Sequence, residues 1–268
     1  MSAWQGKSVL VTGGSRGLGR AIAEAFASSG SRVVIAARNE TRLHGTAEEL
    51  RAKSYEVSAL ASDITQQTQV ERLVNFTVQR HGRLDVLVNN AGISARGQVL
   101  DTTPEQFRES LELNLIAVVR MTRAAVPHLL KHTGHVVNIG SLASKAAARY
   151  LGPYPAAKHA VAAYSQQLRL ELGPQGLHVL LVCPGPIARD ERADERYAQQ
   201  LDGLPPSARK PGGGVKARRL QPSDLARDIL RACQRRQAEL IRPAKARLLF
   251  TLLQASPRLG DWLVRKMT

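Results

Sequence analysis

The chain has 268 residues and a mass of 29.1 kDa, and 43% of its residues are hydrophobic. This length and composition suit one large packed domain or two small ones and exclude an intrinsically disordered chain. The formal net charge of +16 and the pI of about 10.7 raise a nucleic-acid or anionic-membrane partner as one class of function, which composition alone leaves open.

Cysteine usage and the first residues predict the compartment. Cys183 and Cys233 form neither a disulfide framework nor a metal-ligand spacing, so the sequence predicts a reducing compartment and no metal site. Residues 1–8 are polar and do not resemble a signal peptide. The sequence contains no run of 18 apolar residues, so it predicts no membrane-spanning helix. We therefore expect a cytoplasmic protein.

Short β-branched segments alternate with longer segments of helical periodicity. Strands are predicted at Ser8–Thr12, Arg32–Ala37, Glu56–Ala61, Leu84–Val88, His135–Ile139 and His178–Cys183, and helices at Gly17–Ser29, Glu40–Ala52, Gln66–Arg80, Pro104–Lys131 and Tyr154–Leu172. The strand segments are apolar without alternation, which is typical of parallel strands covered on both faces. The pattern predicts an α/β fold, a single Rossmann-type doubly wound parallel sheet of about seven strands flanked by helices.

The composition changes after the sixth strand. Residues 186–222 are polar and broken by prolines and by the triple glycine at Gly212–Gly214, which predicts a lid or binding loop. Ser223 is a plausible N-cap for a helix that runs to about Gln237, and a short strand follows near Leu240 and Ile241. We expect residues 1–242 to form one domain.

Residues 243–268 form a basic, leucine-rich C-terminal extension that we expect to be helical and amphipathic. Residues 201–268 carry 15 basic and 5 acidic side chains, so 10 of the 16 excess positive charges lie there. Leucines, Phe250 and Trp262 stand beside cations, a pattern found in segments that lie in a membrane interface. The alternative is that the extension packs across the protein's own core or a subunit interface, and both interpretations stay open for residues 244–268.

A glycine-rich loop follows the first strand and opens the first helix. Glycines permit a tight turn and close approach of the backbone to a pyrophosphate, and the helix N-terminus offers unpaired N–H groups. Because a predicted strand precedes this loop and a predicted helix follows it, the loop favours a dinucleotide site. Its candidate contact residues are Gly13, Ser15, Arg16, Gly17, Leu18 and Gly19.

The end of the second strand indicates which dinucleotide is preferred. A fold that selects the plain ribose carries an acidic residue there to accept the 2′-hydroxyl hydrogen bond, but this chain has Arg38. A guanidinium pairs instead with a 2′-phosphate, and Arg16 in the glycine loop can reach the same group. The sequence therefore predicts NADP(H) as cofactor.

Three polar residues predict acid–base chemistry. Tyr154 and Lys158 lie four residues apart at the start of a helix, so both project from one face. The lysine ammonium favours the phenolate and makes the tyrosine a usable proton donor near neutral pH. Ser141 follows the fifth strand, at the sheet edge where parallel sheets bind ligands.

Together these motifs resemble the short-chain dehydrogenase/reductase family over roughly residues 5–240. The chain shows the family's TGxxxGxG, NNAG and Ser-Tyr-Lys patterns in family order and spacing. The matching positions are Thr12–Gly19, Asp63, Asn89–Gly92, Asn114, Ser141, Tyr154, Lys158 and Pro184–Gly185. The C-terminal extension resembles those of reductases acting on steroids and sphingoid ketones.

The resemblance implies a role for each site residue. Tyr154 donates a proton to the substrate oxygen, Ser141 holds that oxygen, and Lys158 lowers the tyrosine pKa and binds the nicotinamide ribose. Asn114 anchors a water that leads to solvent, or alternatively only satisfies strand backbone. The remaining cofactor contacts implied are Asp63, Ile64, Asn90, Ala91, Gly92, Pro184, Gly185 and Ile187, with Asp63 alternatively a helix N-cap ahead of Gln66.

Two positions depart from the family pattern. Arg189 stands where a threonine often contacts the nicotinamide carboxamide, which leaves that contact to the Ile187 backbone. Gly140 stands where a serine is frequent, a change that we expect to be harmless. Pro155 is compatible only with the first helical turn, so the helix should begin close to Tyr154.

The expected reaction is NADP(H)-dependent interconversion of a carbonyl and a secondary alcohol, on a hydrophobic ketone. An apolar pocket wall is predicted from Ala143, Ala146, Ala147, Ala148 and Leu151, with Ser94–Gln98 opposite and Arg96 or Arg149 available to an anionic group. A peripheral-membrane reductase of a lipid ketone is the alternative. A dinucleotide-sensing or nucleic-acid-binding protein is less favoured, because 4% aromatic residues provide few stacking platforms. The resemblance also implies a homo-oligomer formed through Pro104–Lys131 and Tyr154–Leu172, and no specific nucleic-acid partner.

Overall fold

A computed structural model of the chain describes residues 2–188, 204 and 218–267. Within them, seven strands form one parallel sheet in the order β3-β2-β1-β4-β5-β6-β7. The strands are β1 (Ser8–Thr12), β2 (Arg32–Ala37), β3 (Val57–Ala61), β4 (Val86–Asn89), β5 (His135–Ile139), β6 (His178–Pro184) and β7 (Glu239–Arg242). The expected doubly wound parallel sheet is confirmed. Most of the expected lid, including Arg189, lies outside the described residues.

The helices agree with the sequence pattern except at two places. They are α1 (Gly17–Ser28), α2 (Glu40–Arg51), α3 (Gln67–His81), α4 (Pro104–Leu111), α5 (Ala117–Leu129), α6 (Tyr154–Leu172), α7 (Pro222–Gln234), α8 (Ala246–Ala255) and α9 (Pro257–Met267). The single helix predicted over Pro104–Lys131 is interrupted by a π-helical turn at Glu112–Ile116.

The second difference concerns α7. The prediction that Ser223 caps this helix is wrong, because Gln221 occupies the N-cap position and Pro222 the first helical position. Proline suits that position, since the first N–H of a helix has no intrahelical partner. The helix ends at Gln234, three residues earlier than expected, and Arg236 beyond it adopts a left-handed φ of 47°.

Two apolar layers cover the sheet. One layer joins the sheet to α1, α2 and α7, and the other joins it to α3, α5 and α6. The strand order reverses between β1 and β4, so the connections that leave these two strands turn to opposite faces. Such a reversal opens a crevice at the carboxyl ends of the strands, where this type of fold binds its ligands.

The helical run Pro104–His132 is long and apolar enough to span a membrane by length and composition, with a mean hydropathy of 1.2 over 18 residues. The segment contains no continuous apolar run of that length, so the sequence pattern did not predict it. Met121, Ala125 and Leu129 on one of its faces are fully buried against the sheet. This contact is the arrangement of a core helix, which passes the same test.

The C-terminal extension packs on the domain. Phe250 of α8 is 7% exposed and lies in an apolar cluster with Val161 of α6, Leu181 of β6 and Ile241 of β7. The outer side of the extension is different, because Leu248, Leu259 and Trp262 are exposed there. The packing interpretation therefore describes the inner face of α8, and the outer face keeps the apolar and basic character seen in the sequence.

Candidate active site

The glycine loop after β1 has the geometry of a phosphate cradle. Gly13 and Gly17 adopt φ angles of +67° and +54°, which residues with a side chain rarely adopt. A Cβ on Gly19 would lie 2.2 Å from the carbonyl oxygen of Gly13, so only glycine lets α1 start this close to the loop. The first turn of α1 carries no acidic residue, which leaves its N–H groups and positive dipole end available to an anion.

The residues after β4 tie this loop to the centre of the sheet. Asn90 Nδ2 donates to the carbonyl oxygens of Thr12 and Gly13 at 2.9 and 3.2 Å. Thr12 Oγ1 accepts from the backbone N–H groups of Asn90 and Ala91 at 3.0 and 3.1 Å. These bonds fix two predicted cofactor segments relative to each other before any ligand binds.

Asp63 and Arg38 mark the outer end of the crevice. Asp63 Oδ1 accepts from the backbone N–H and the hydroxyl of Thr65, so it closes a turn ahead of α3, whose N-cap position belongs to Gln66. Burial raises the pKa of Asp63, but the Thr65 hydrogen bonds and the positive charge of Arg38 outweigh it and lower the pKa overall. Arg38 is exposed, and Ile64 is 7% exposed in the core beneath.

A cavity of about 580 Å³ at the glycine loop reveals a cationic residue that the sequence pattern did not single out. Ser15, Arg16 and Gly17 line it, together with Arg20 and Arg42. Arg20 pairs with Glu49 at 2.6 Å, whereas Arg16 and Arg42 have no ion pair in the described part of the chain. The signal for Arg42 was its place four residues after Arg38, in the first turn of a helix capped by Asn39.

The four predicted catalytic residues come together in one larger cleft of about 1130 Å³ at the carboxyl ends of the strands. Other lining residues come from the predicted cofactor set: Leu18, Asn90, Gly92, Pro184, Gly185 and Ile187. Six other residues of the predicted cofactor set line neither this cleft nor the smaller cavity: Gly13, Gly19, Arg38, Asp63, Ile64 and Ala91. Ser141, Tyr154, Lys158 and Asn114 thus share one accessible space.

Ser141 is held as a hydrogen-bond donor to the cleft. It caps the short turn Leu142–Ser144, where its Oγ accepts from the N–H of Ala143 at 3.1 Å and its own N–H donates to Ser144 Oγ at 3.1 Å. Because one lone pair of the oxygen is occupied, the hydroxyl proton is free to point elsewhere. The departure at Gly140 has a steric reason, since a Cβ there would lie 2.7 Å from Ser144 Oγ.

Tyr154 and Lys158 lie in the first two turns of α6, which begins at Tyr154 as Pro155 predicted. The Lys158 side chain is 6% exposed, and its Nζ donates to the carbonyl of Ile139 at 2.8 Å and lies 5.7 Å from the centre of the Tyr154 ring. Burial lowers the pKa of Lys158 to about 8. The ammonium is thus the main form at neutral pH, close enough to favour ionisation of the tyrosine.

Asn114 sits in the π-helical turn and uses its side chain on backbone. Its Nδ2 donates to the carbonyl of Ser110 at 3.0 Å, and its Oδ1 accepts from the N–H of Ile93 at 3.3 Å. A Cβ on Gly92 would lie 2.7 Å from that Oδ1, which explains the glycine. The side chain therefore satisfies helix and loop backbone and not the strand backbone that the alternative named, and the water-anchoring role stays a prediction.

A buried polar network that sequence reasoning missed connects the sheet to α5 and α6. Asn89 Nδ2 donates to Asn138 Oδ1 at 2.9 Å and to Thr122 Oγ1 at 3.1 Å. Asn138 Nδ2 donates to Ser165 Oγ at 2.9 Å, and that hydroxyl donates to Val161 in α6. The network links β4 and β5 of the sheet to α6, the helix that carries Tyr154 and Lys158.

Part of the cleft lining is apolar. Ala143, Ala146, Ala148 and Leu151 line it as the sequence predicted, whereas Ala147 does not. The C-terminal extension contributes Leu249, Phe250 and Leu253 of α8 and Val264 of α9. Arg96 lies at the same cleft, and Arg149 does not line it.

Comparison with known proteins agrees with this geometry. The family described as short chain dehydrogenase matches residues 7–200. A curated relative, dehydrogenase/reductase SDR family member 7B of Danio rerio, is 34% identical over 243 residues, which cover 87% of this chain and 76% of the relative.

Two solved structures share the fold. An actinorhodin polyketide ketoreductase variant with NADPH aligns with a TM-score of 0.79 and 31% identity, over 90% of this chain and 97% of that one. A short-chain dehydrogenase/reductase from Burkholderia phymatum in complex with NAD aligns with a TM-score of 0.83 and 25% identity, over 97% of each chain. One of these proteins thus binds NADPH and the other NAD.

Proposed function

The chain belongs to the short-chain dehydrogenase family, and from this membership we propose that it is an NADP(H)-dependent reductase of a hydrophobic ketone. A nicotinamide dinucleotide and a small carbonyl or alcohol substrate are what the family and its structural neighbours support. The observation that carries the proposal is the convergence of Ser141, Tyr154 and Lys158 on one cleft beside the glycine loop.

The described residues fit such a cofactor. A Cβ on Gly13, Gly14 or Gly19 would fall within 3 Å of Asn90, Ile35 or the Gly13 carbonyl, so these glycines let the loop pack closely on the protein, whereas a Cβ on Gly17 would meet no protein atom within 4 Å. The N-terminus of α1, which begins at Gly17, has no competing carboxylate in its first turn. The bound dinucleotide supplies the hydride, and the protein residues supply the rest of the chemistry.

Tyr154 is the proposed acid. Its hydroxyl delivers a proton to the substrate oxygen while Ser141 donates a hydrogen bond to the same oxygen and orients the carbonyl. The Lys158 ammonium, held by Ile139, stabilises the tyrosinate that remains, and the tyrosine is then reprotonated from solvent. In the oxidative direction the same groups act in reverse.

The proposed preference for NADP(H) over NAD(H) is based on positively charged side chains near the glycine loop. Arg16 and Arg42 line the cavity at the glycine loop, and Arg38 directly follows β2, at the position where an acidic residue would bind the unphosphorylated ribose. A guanidinium matches phosphate oxygens in a bidentate manner. A 2′-phosphate placed among these side chains would pair with at least one of them.

A lipid ketone presented at a membrane is a second candidate, favoured by the outer face of the extension. Leu248, Leu259 and Trp262 are 70%, 43% and 55% exposed, and Lys266 Nζ lies 5.1 Å from the Trp262 ring. Exposed apolar side chains beside cations suit an anionic lipid surface. The cytoplasmic location, the homo-oligomer and the boundary at residue 242 stay predictions.

The test is NADPH consumption against ketones and aldehydes of increasing chain length and ring size, with Tyr154→Phe as the control. We expect turnover that requires Tyr154, exceeds turnover with NADH and rises with apolar size. Saturable NADPH binding without turnover of any carbonyl would instead support a sensing role and overturn the proposal.

A further inference from the structure

A cluster of nitrogen and sulfur ligands lies at the edge of the sheet opposite the active-site cleft. His135 and His178 are the first residues of β5 and β6 and are direct partners in the strand register. Cys233, near the end of α7, completes the cluster. No metal-ligand spacing is visible in the sequence, because the tertiary fold brings these three residues together: parallel pairing aligns the two histidines, and α7 adds Cys233.

The ligand atoms are already close. One ring nitrogen from each histidine and the Cys233 sulfur all lie within 4.8 Å of one another, and the two Nδ1 atoms are 2.8 Å apart. In a tetrahedral zinc site, bond lengths of about 2.0–2.3 Å put neighbouring ligand atoms about 3.3–3.7 Å apart. Side-chain movements of about 1 Å would therefore convert the cluster into a coordination site.

The tautomer of His178 suits metal binding. Its Nε2 lies 2.8 Å from the carbonyl oxygen of Gln237 and must donate to it, so its Nδ1 carries the lone pair. A ligating histidine commonly donates its other N–H to a carbonyl in this way. In the absence of a metal ion this lone pair accepts the Nδ1–H of His135 at 2.8 Å, so a bound cation would replace that hydrogen bond, and His135 would coordinate through its unprotonated ring nitrogen.

The third ligand determines which metals fit. Cys233 is fully buried, and its sulfur lies within 4.8 Å of a ring nitrogen of each histidine. Its thiol would lose the proton on binding, because the thiolate is the form of cysteine that coordinates a metal ion. Two imidazoles and one thiolate suit a thiophilic ion better than Mg²⁺ or Ca²⁺, which prefer oxygen ligands.

We propose that His135, His178 and Cys233 form a structural site for a thiophilic cation of the Zn²⁺ type. The ion would join α7 to the first residues of β5 and β6, with Trp4 packed against one side, where its ring centre lies 5.4 Å from that of His135. The start of the same helix lines the active-site cleft through Asp224, Leu225 and Asp228. Metal binding at one end of α7 thus fixes a wall of the cleft at its other end.

Co²⁺ is the probe of choice, because thiolate ligation produces a charge-transfer band that histidine-only binding lacks. The full chain is stripped with a chelator and titrated with Co²⁺, and Zn²⁺ is then added. We expect the band to saturate at one equivalent and disappear on displacement by Zn²⁺. Zn²⁺ should also raise the Tm.

Two variants complete the test. Cys233→Ala should lose the band, bind Zn²⁺ at least tenfold more weakly and lose the Zn²⁺-dependent rise in Tm. Cys183→Ala is the matched control, since it removes the other buried cysteine and should leave the band intact. Absence of the band in the folded wild-type chain, or its persistence in Cys233→Ala, would overturn the proposal whether or not a variant folds poorly. In that case the cluster is a hydrogen-bonded histidine pair packed against a thiol.

Discussion

The Nζ atom of Lys158 lies 5.7 Å from the centre of the Tyr154 ring, one helical turn along α6, and is removed from water. Because it is buried, its pKa falls from 10.5 to about 8. The charged form is thus disfavoured by folding. The proposed catalytic pair therefore exists at a cost in stability.

We expect Lys158→Met to abolish turnover and yet raise the free energy of unfolding at pH 7 by about 2 kcal/mol. This figure is a burial cost of about 3 kcal/mol less about 1 kcal/mol for the lost hydrogen bond to Ile139. In the wild type the cost is complete below pH 8 and vanishes as the pH rises through 10.5, so the advantage of the variant should vanish there. Urea unfolding of the wild type and of Lys158→Met at pH 7 and at pH 10 gives the difference in the free energy of unfolding at each pH.

Lys131→Met is the control for that experiment, because Lys131 is exposed and its replacement should change stability by less than about 0.5 kcal/mol. A Lys158→Met protein that is less stable than the wild type at both pH values would contradict the burial argument.

The cationic residues near the glycine loop should control the choice of dinucleotide. Arg38→Asp should shift preference from NADPH towards NADH, and Arg42→Ala should raise the KM for NADPH about tenfold or more while changing that for NADH little, because it removes a charge-assisted hydrogen bond. Arg72→Ala, an exposed arginine on α3, is the control. Unchanged preference in both variants would remove Arg38 and Arg42 from the proposed phosphate site.

Replacement of glycine by alanine should have different effects at two positions, loss of dinucleotide binding at one and a gain in stability at the other. Gly19→Ala forces a Cβ to within 2.2 Å of the Gly13 carbonyl oxygen and should destroy dinucleotide binding. Gly45→Ala lies inside α2 with no atom within 4 Å of the added Cβ and should stabilise the protein by about 0.5–1 kcal/mol. Binding of NADPH by fluorescence and thermal unfolding of each variant give the comparison, and normal binding by Gly19→Ala would refute the close approach.

The buried network under α6 should be a stability determinant. Ser165→Ala removes the acceptor of Asn138 Nδ2 and leaves that amide unpaired, with an expected loss of about 1–3 kcal/mol. Ser28→Ala, which removes an exposed hydroxyl from α1, should change stability by less than about 0.5 kcal/mol. Equal effects in denaturant unfolding would show that the network contributes nothing.

The two faces of the C-terminal extension should separate in mutagenesis. Phe250→Ala should lower the Tm and weaken binding of the larger ketones, because it opens the apolar cluster beside the cleft. Trp262→Ser should leave the Tm and turnover of soluble ketones unchanged and reduce flotation with anionic liposomes. Wild-type protein that does not float would contradict the membrane role and leave the extension with packing and its contribution to the cleft.

The strands were predictable because β2, β5 and β6 are continuous β-branched or apolar runs, and burial on both faces of a parallel sheet demands that pattern. The motifs located the candidate site for a similar reason, since chemistry at strand ends leaves polar residues next to apolar runs. The π-helical turn at Asn114 gave no such signal. It depends on a side chain that binds the Ser110 carbonyl and the Ile93 N–H, and hydrophobic periodicity does not report either contact.

Contacts between distant segments account for the other omissions. Arg42 joins the cavity of Arg16 only because α2 packs beside the glycine loop, and His135 meets Cys233 only because α7 returns to the sheet. Residue types at these positions are unremarkable in an arginine-rich chain. Their meaning comes from the tertiary fold.

Because α8 and α9 contribute to the cleft, specificity for the dinucleotide and specificity for the substrate can be encoded in different parts of the chain. The contacts proposed for the dinucleotide all lie within residues 12–187, whereas residues 246–264 add a wall to the same cleft. Sequence change in the second stretch can alter the substrate side of the cleft without disturbing the loop proposed to hold the dinucleotide. The proposed catalytic trio could therefore be inherited intact while relatives diverge in the molecules they convert, and exchanging residues 246–267 between relatives would test that divergence directly.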